Sequence, residues 1–208
     1  MIALALCLTI SAFAVSCGKD GDSEKEDETG KKPSIANVEK PDLDALEISE
    51  YVRLGEYKGM TVKLPGVDHE EEAVWNCVLE NAEIISVPEG LLEYYEAQLI
   101  AIYKYYAEEQ GITLEEAFEI YGMSEANIAE EAFEAARDDL VFAAVIDAEG
   151  IELTEENINT LYDTYVERYT LIGYNESYIR ENFRDEILDA MLYDKVLEFL
   201  MINNNFTE

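Results

Sequence analysis

Residues 89–203 consist of successive segments in which apolar side chains recur every three to four positions. In the first segment the recurring residues are Leu91, Tyr95, Leu99, Ile102 and Tyr106. This spacing places apolar side chains on one face of an α-helix. Glycines follow four of the segments, at Gly111, Gly122, Gly150 and Gly173. Since glycine is the preferred residue just after a helix, the pattern predicts a series of helices.

Helix starts are predicted at the other ends of the same segments. Thr113 precedes Glu116 by three residues, which is the spacing of a capping box. Ser124, Thr154 and Asn175 stand at the starts of later segments, where their side chains can cap a helix. The sequence therefore predicts a mainly α fold of five or six helices, and the short connections between them favour antiparallel neighbours.

A short extended (β) region is predicted before the helices. Between Tyr51 and Leu64 the chain is rich in β-branched and aromatic residues, and Met60, Val62 and Leu64 alternate with polar residues. A second apolar run, Ala82 to Val87, ends at Pro88. We therefore predict an extended region over residues 47–87, a helical domain over 88–203 and a patternless tail over 204–208.

The N-terminus is typical of an exported chain. Residues 1–16 carry no charged side chain and end in small residues, which favours a signal peptide over a membrane span. The small residues before Cys17 resemble the lipobox of bacterial lipoproteins, in which the cysteine is acylated; the alternative is a secretory signal cut elsewhere. Residues 17–46 are predicted to be a disordered acidic linker that tethers the domain to the outer face of the membrane.

Charge and composition exclude several classes of function. With 47 acidic residues against 14 basic ones, the formal net charge is -33, which disfavours nucleic acid as a partner. One histidine and three cysteines are too few for a His- or Cys-based metal site. The histidine, His69 in VDHEEE, has no serine that the sequence identifies as a nucleophile for it to activate. We expect no metal, no cofactor and no catalytic residue.

Tyrosine is the most frequent aromatic residue of this chain, with 14 tyrosines against seven phenylalanines and one tryptophan. Five of them occur in the first long helix, at Tyr94, Tyr95, Tyr103, Tyr105 and Tyr106. One core-facing stripe cannot hold them all, so some rings are expected to face water or a bound peptide. The alternative is that these rings pack at the edge of the core with only the hydroxyl in water.

Three stretches together resemble trigger factor. The first is LGEYKGMTVKL, similar to the strand that leads into its isomerase domain. The second is VWNCVLENAEIISVPEGLLEYY, similar to the segment that enters its helical C-terminal domain. The third, from GITLEEAF to IELTEENI, is similar to the core of that domain. The resemblance covers about residues 50–200 and implies the same multihelical chaperone fold.

The departures from trigger factor narrow the expected function. Only PGVDHEEEA separates Leu64 from Val74, which leaves no room for the FKBP-type prolyl isomerase domain. The signal and linker stand where the ribosome-binding domain lies in trigger factor, so no ribosome contact is expected. The resemblance implies an ATP-independent holdase outside the cytoplasm that binds unfolded or nascent exported polypeptides. The peptide-binding candidates are Tyr94, Leu99, Ile102, Tyr103, Tyr106, Tyr162, Tyr165 and Tyr169.

Two other functions are considered. The helical domain could serve as the scaffold of a lipoprotein adaptor for one specific envelope partner, since a fold does not determine a function. A prolyl isomerase is the least expected, because the sequence has no segment that could form that domain.

Overall fold

A computed structural model of the chain describes residues 38–64, 69–171 and 173–207. The predicted signal peptide, the lipidation at Cys17 and the linker up to residue 37 lie outside the described residues. The mainly α fold class is confirmed. The α-helices of the described residues are α1 (Glu70–Asn81), α2 (Leu91–Gln110), α3 (Leu114–Tyr121), α4 (Glu125–Glu149), α5 (Glu155–Leu171), α6 (Glu176–Asn182) and α7 (Arg184–Ile202).

The predicted helix caps are confirmed in atomic detail. At the start of α3, the Thr113 hydroxyl accepts from the backbone N–H of Glu116 (3.2 Å), and the Glu116 carboxylate accepts from that of Thr113 (2.8 Å). Ser124 accepts in the same way from the N–H of Asn127 at the start of α4. The helix ends at Gly150, whose φ of 61° lies in the left-handed region that favours glycine. Local sequence therefore sets these helix boundaries.

Among the described residues, four short strands form two separate pairs. Strand β1 (Val52–Arg53) pairs antiparallel with β3 (Glu83–Ile84), with Val52 opposite Ile84. Strand β2 (Thr61–Lys63) pairs in parallel with β4 (Asn205–Thr207), the C-terminal strand. The chain thus ends beside the strand that precedes its first helix.

The main hydrophobic core lies where α1, α2, α4 and the second half of α7 meet. Trp75 is 1% exposed at its centre, and its ring makes edge contacts with Phe142 (6.3 Å between centroids) and Tyr193 (6.1 Å). The indole N–H of Trp75 donates to the Asp138 carboxylate at 2.9 Å. A buried tryptophan whose N–H is satisfied combines a large buried area with a fixed orientation.

A second, smaller core forms between α5, α6 and the first half of α7. Its buried members are Tyr165, Val166, Tyr169, Ile179, Phe183, Ile187 and Met191. We call these helices, residues 155–191, the second lobe. Helix α7 belongs to both cores, because its later residues Val196, Leu197 and Leu200 are buried in the main core. The second lobe is therefore joined to the rest of the protein through a continuous helix.

Two predictions near the N-terminal side of the domain were wrong. Residues 38–46, predicted to be part of a disordered linker, are folded and contain a 3₁₀ turn at Leu43–Ala45. The predicted extended region 47–87 contains the helix α1, which buries Val74, Trp75 and Val78. Its first turn carries three glutamates, which complement the helix dipole.

The predicted patternless tail was also wrong, because residues 205–207 form β4. Asn204, the residue before β4, fixes the position of this strand through side-chain hydrogen bonds. Its side-chain oxygen accepts from the backbone N–H of Met60 at 2.8 Å, and its amide nitrogen donates to the carbonyl oxygens of Tyr57 and Leu200 at 3.0 and 2.9 Å. One amide therefore connects the β2 segment to the end of α7.

No helix among residues 38–64, 69–171 and 173–207 combines the length and apolar character needed to cross a bilayer.

We predict that Asn204→Ala lowers the free energy of unfolding by about 1–3 kcal/mol, because it leaves the partly buried backbone groups without their partners. Urea unfolding followed by the fluorescence of Trp75 measures this change. Asn205→Ala is the matched control, since the exposed Asn205 side chain makes no hydrogen bond to a described residue. Equal stability of the two variants would contradict the assigned role of Asn204.

Candidate peptide-binding surface

The aromatic patch lies where α3 packs on the second half of α2. It consists of the side chains of Tyr103, Tyr106, Phe118 and Tyr121. The Tyr103 ring lies 5.4 Å from that of Phe118 and 5.8 Å from that of Tyr121, and the Tyr106 and Tyr121 rings are 5.7 Å apart. Edge and tilted arrangements at these distances are the favourable geometries for aromatic pairs. Two short helical surfaces thus form one continuous aromatic surface.

The patch is open to solvent on the α3 side. Tyr121 is 45% exposed, and Ile120 beside it on α3 is 62% exposed. The Tyr121 hydroxyl accepts a hydrogen bond from the side-chain amide of Gln110 at 2.9 Å, which fixes the ring against α2. A contiguous apolar surface of this kind is typical of an interaction site, whereas single exposed apolar residues are ordinary.

The two helices that carry the patch are acidic. Helices α2 and α3 together carry seven glutamates and a single basic residue, Lys104. The patch therefore presents apolar rings within a negative field, which attracts positively charged segments and repels acidic ones.

Burial raises the pKa of the Tyr103 and Tyr106 hydroxyls above the ordinary value. For Tyr103 the nearby Glu131 carboxylate raises the pKa further, because it disfavours a second negative charge. The hydroxyls therefore remain neutral at physiological pH, and the rings contact a bound chain without charge.

The structure brings some of the predicted contact residues together and buries others. Tyr103 and Tyr106 lie in the patch, and Ile102 is half-buried beside them on α2. Leu99 is only 4% exposed in the main core, and Tyr94 is half-buried at its edge, where its ring contacts that of Tyr95. Leu99 is therefore a core residue in this conformation.

The three later candidates lie in the second lobe. Tyr165 and Tyr169 are each 6% exposed; the Tyr165 hydroxyl donates to Asp194, and the Tyr169 ring packs 5.3 Å from that of Phe183. Tyr162 is half-buried, with the guanidinium groups of Arg180 and Arg184 about its ring. Tyr165 and Tyr169 thus form the second core, and we leave them out of the candidate surface.

Sequence reasoning missed Phe118 and Tyr121. They stand three residues apart, which places them on one face of a helix, but α3 has only eight residues and offers few repeats to compare. The five tyrosines on α2 are more than one core-facing stripe can hold, and this excess was the sequence signal that another helix packs aromatic side chains against them.

A polar cluster forms where Lys40 meets Tyr95 of α2 and Asp139 of α4. The Lys40 ammonium contacts the Asp139 carboxylate at 2.7 Å, and the same carboxylate accepts from the Tyr95 hydroxyl. The Lys40 nitrogen also lies 5.9 Å from the centre of the Tyr95 ring. Burial lowers the pKa of Lys40, but the charge of Asp139 and its hydrogen bond outweigh burial and raise it.

The part of the chain that the structure describes holds no group of three or more His, Cys, Asp or Glu side chains suited to a metal ion. His69 stands at the start of α1, beside Glu72 at 3.6 Å. Cys77 is half-buried, and burial raises the pKa of its thiol, which lowers its reactivity.

We predict that the stability of the folded chain falls as the pH rises above about 10, where tyrosines of the unfolded chain ionise. Above this pH, the tyrosines whose pKa is raised in the folded state keep their protons, whereas the same tyrosines in the unfolded chain lose them. Unfolding therefore releases protons, and a rise in pH favours unfolding. Tyr106→Phe should reduce this loss while leaving stability at neutral pH nearly unchanged. Urea unfolding at neutral and alkaline pH tests this, and identical pH dependence of both proteins would contradict it.

Residues 67–202 match the family model described as the bacterial trigger factor protein C-terminus. The chain is 26% identical over 151 residues to the trigger factor of Pediococcus pentosaceus, covering 71% of this chain and 34% of that protein. It is 28% identical over 151 residues to that of Levilactobacillus brevis, with the same coverage. With the trigger factor of Clostridioides difficile it shares 26% identity over 200 residues, 83% of this chain and 45% of that protein.

The chain spans between a third and a half of the length of these curated relatives. No solved structure gives a significant match to it.

Proposed function

Because the chain belongs to the trigger factor C-terminal family, we propose that it is an ATP-independent chaperone, a holdase that binds unfolded segments of exported proteins. The single observation that carries the proposal is the solvent-exposed aromatic patch on α2 and α3. Such a patch can bury apolar side chains of many different chains, because aromatic contacts do not require one sequence.

The negative charge of the chain supports a preference for basic client polypeptides. The patch lies among the glutamates of α2 and α3, in a chain whose formal net charge is -33. Unfolded segments that carry lysine or arginine beside apolar residues would be attracted, and acidic segments repelled. The same charge keeps copies of the holdase apart, so that its own patch does not lead to self-association.

The proposed location is the outer face of a bacterial membrane, with the chain anchored by a lipid on Cys17. The support is the sequence of residues 1–17, whose apolar segment ends in small residues directly before the cysteine. Residues 18–32, which are all polar or glycine, separate the proposed anchor from the described part of the chain. Clients would then be newly exported polypeptides.

Binding without isomerase chemistry is part of the proposal. Strand β2 ends at Lys63 and helix α1 begins at Glu70, so six residues connect them. A domain of the FKBP type cannot be formed by such a connection.

We predict that the full chain suppresses the aggregation of a denatured model protein diluted into buffer. The patch variant Ile120→Ser/Tyr121→Ser, which replaces the patch residue Tyr121 and its exposed neighbour Ile120, should suppress it less. About tenfold more of the variant should be needed, corresponding to about 1.4 kcal/mol of lost binding. Both side chains are exposed, at 62% and 45%, so their replacement should leave the helix content unchanged. Light scattering and circular dichroism measure the two quantities.

The matched control is Leu171→Ser/Ile202→Ser, which removes two apolar side chains that are 86% and 75% exposed outside the patch. It should suppress aggregation as the unmodified chain does. Equal activity of the patch variant and the control would remove the patch from the proposal. No suppression by the unmodified chain, together with capture of one saturable envelope protein, would favour the adaptor instead.

The proposed anchor gives a separate prediction. Expressed in a bacterial host, the chain should incorporate labelled fatty acid and fractionate with membranes, whereas Cys17→Ser should lose the label, because the thiol is the acylation site. Cys77→Ser is the control, since its half-buried thiol lies within α1. A wild-type chain without label, or a Cys17→Ser variant that keeps it, would contradict lipidation at Cys17.

A further inference from the structure

The first described residues of the chain run along helix α2. In residues 38–46, which we call the strap, Pro41 passes close to Gly90 at the start of α2, where an added Cβ would lie 3.7 Å from the proline ring. The preceding residue, Lys40, places its ammonium 5.9 Å from the centre of the Tyr95 ring, more than one helical turn further along α2. Followed backwards from Pro41, the chain therefore runs along α2 in the direction of the aromatic patch.

The patch lies within reach of the residues that precede the strap. Tyr106 follows Tyr95 by about three helical turns, so the two residues lie on nearly the same side of α2. With a rise of about 1.5 Å per residue, Tyr103 and Tyr106 lie about 12 and 17 Å beyond Tyr95. Ile35 precedes Lys40 by five residues, which span about 17 Å when extended. The segment around Ile35 is therefore long enough to contact the patch.

The sequence of this segment combines positive charge with apolar side chains. Residues 29–38 read TGKKPSIANV and contain no acidic residue, although the whole chain has a formal net charge of -33. Lys31 and Lys32 are the only two basic residues that are adjacent in the sequence, and Pro33 and Ile35 follow them. We call residues 31–36 the KKPSIA segment. It has the composition that an apolar surface on acidic helices favours.

The helices that carry the patch have unpaired acidic side chains for such a segment. Four glutamates, in the last turn of α2 and on α3, form no ion pair with a described residue: Glu108, Glu109, Glu115 and Glu119. The exposed side chains of Ile120 and Tyr121 lie on the same short helix α3. A segment with two lysines and an isoleucine can therefore bury its apolar side chain on the patch and bring its ammonium groups to these carboxylates.

We propose that the KKPSIA segment binds the aromatic patch of its own chain and covers it when no client is bound. This inference rests on the proposed function, because it assigns to the segment the same contacts that a basic, apolar client would make. A tethered segment is present at an effective concentration in the millimolar range, so it competes with clients even when its own affinity is weak. The segment thus sets a threshold that only clients with stronger contacts exceed.

The first test detects the contact in the unmodified full chain. A carbodiimide joins a lysine amine to a carboxylate as an amide when the two groups are in contact, and takes up the released water to become a urea. Mass spectrometry should find Lys31 and Lys32 joined to glutamates of α2 and α3 about fivefold more often than Lys19 and Lys25, the matched lysines of the same N-terminal region. Equal yields for the two pairs of lysines would overturn the proposal.

The second test measures competition with a client. In the full chain, Lys31→Glu/Lys32→Glu should tighten binding of a labelled unstructured peptide that carries lysine beside apolar residues, by about fivefold, because the patch is then free in most molecules. The control Lys19→Glu/Lys25→Glu makes the same change in net charge outside the KKPSIA segment and should leave the affinity unchanged. Fluorescence anisotropy measures both affinities. An equal gain in the two variants would assign the effect to net charge and overturn the proposal.

A third measurement does not depend on a foreign client. A labelled synthetic peptide of residues 29–38 should bind the Lys31→Glu/Lys32→Glu chain, and adding Ile120→Ser/Tyr121→Ser to that chain should weaken binding about tenfold. Equal binding to the two chains would overturn the proposal. If foreign peptides bind no variant, the holdase function fails, and the cross-links together with this peptide alone decide whether the KKPSIA segment binds the patch.

Discussion

Helix α7 (Arg184–Ile202) is buried in both hydrophobic cores, and the arrangement of the rest of the protein depends on it. Ile187 and Met191 pack in the second lobe, whereas Val196 and Leu200 pack in the main core beside Trp75. A helix rises about 1.5 Å per residue, so Ile187 and Val196 lie about 14 Å apart along one rigid element. The ammonium of Lys195, between the two sets, donates to the carbonyl oxygen of Glu152 at 2.6 Å and ties the start of the second lobe to α7.

The second half of α2 packs against the short helix α3, and aromatic side chains remain partly exposed where the two helices meet. Leu91, Tyr95 and Leu99 are buried in the main core, whereas beyond them the Tyr103 and Tyr106 rings lie against Phe118 and Tyr121 of the short helix α3. A helix of eight residues cannot cover these rings completely. Exposure and charge together give a surface suited to weak, broad binding.

Elements defined by near neighbours could be predicted from the sequence. The capping box of Thr113 and Glu116 needs only residues three positions apart, so it was identifiable without the fold. The strand β4 could not be identified, because Phe206 is the single apolar residue of its segment and becomes extended by pairing with Val62, far away in the chain. The same holds for the candidate surface. Tyr103 and Tyr106 were identified on α2, whereas Phe118 and Tyr121 became members of the patch only through packing of α3.

By itself, the sequence determined the mainly α class, the helix boundaries between Gly111 and Gly173, and the strongly acidic character of the chain. These properties depend on local spacing, capping and composition, which each segment carries within itself. Only the tertiary structure decided which tyrosines are buried, since Tyr103 and Tyr165 have the same chemistry but different neighbours. It also decided that Lys40 meets Asp139, because an ion pair between residues so far apart in the chain forms only after the helices between them have packed.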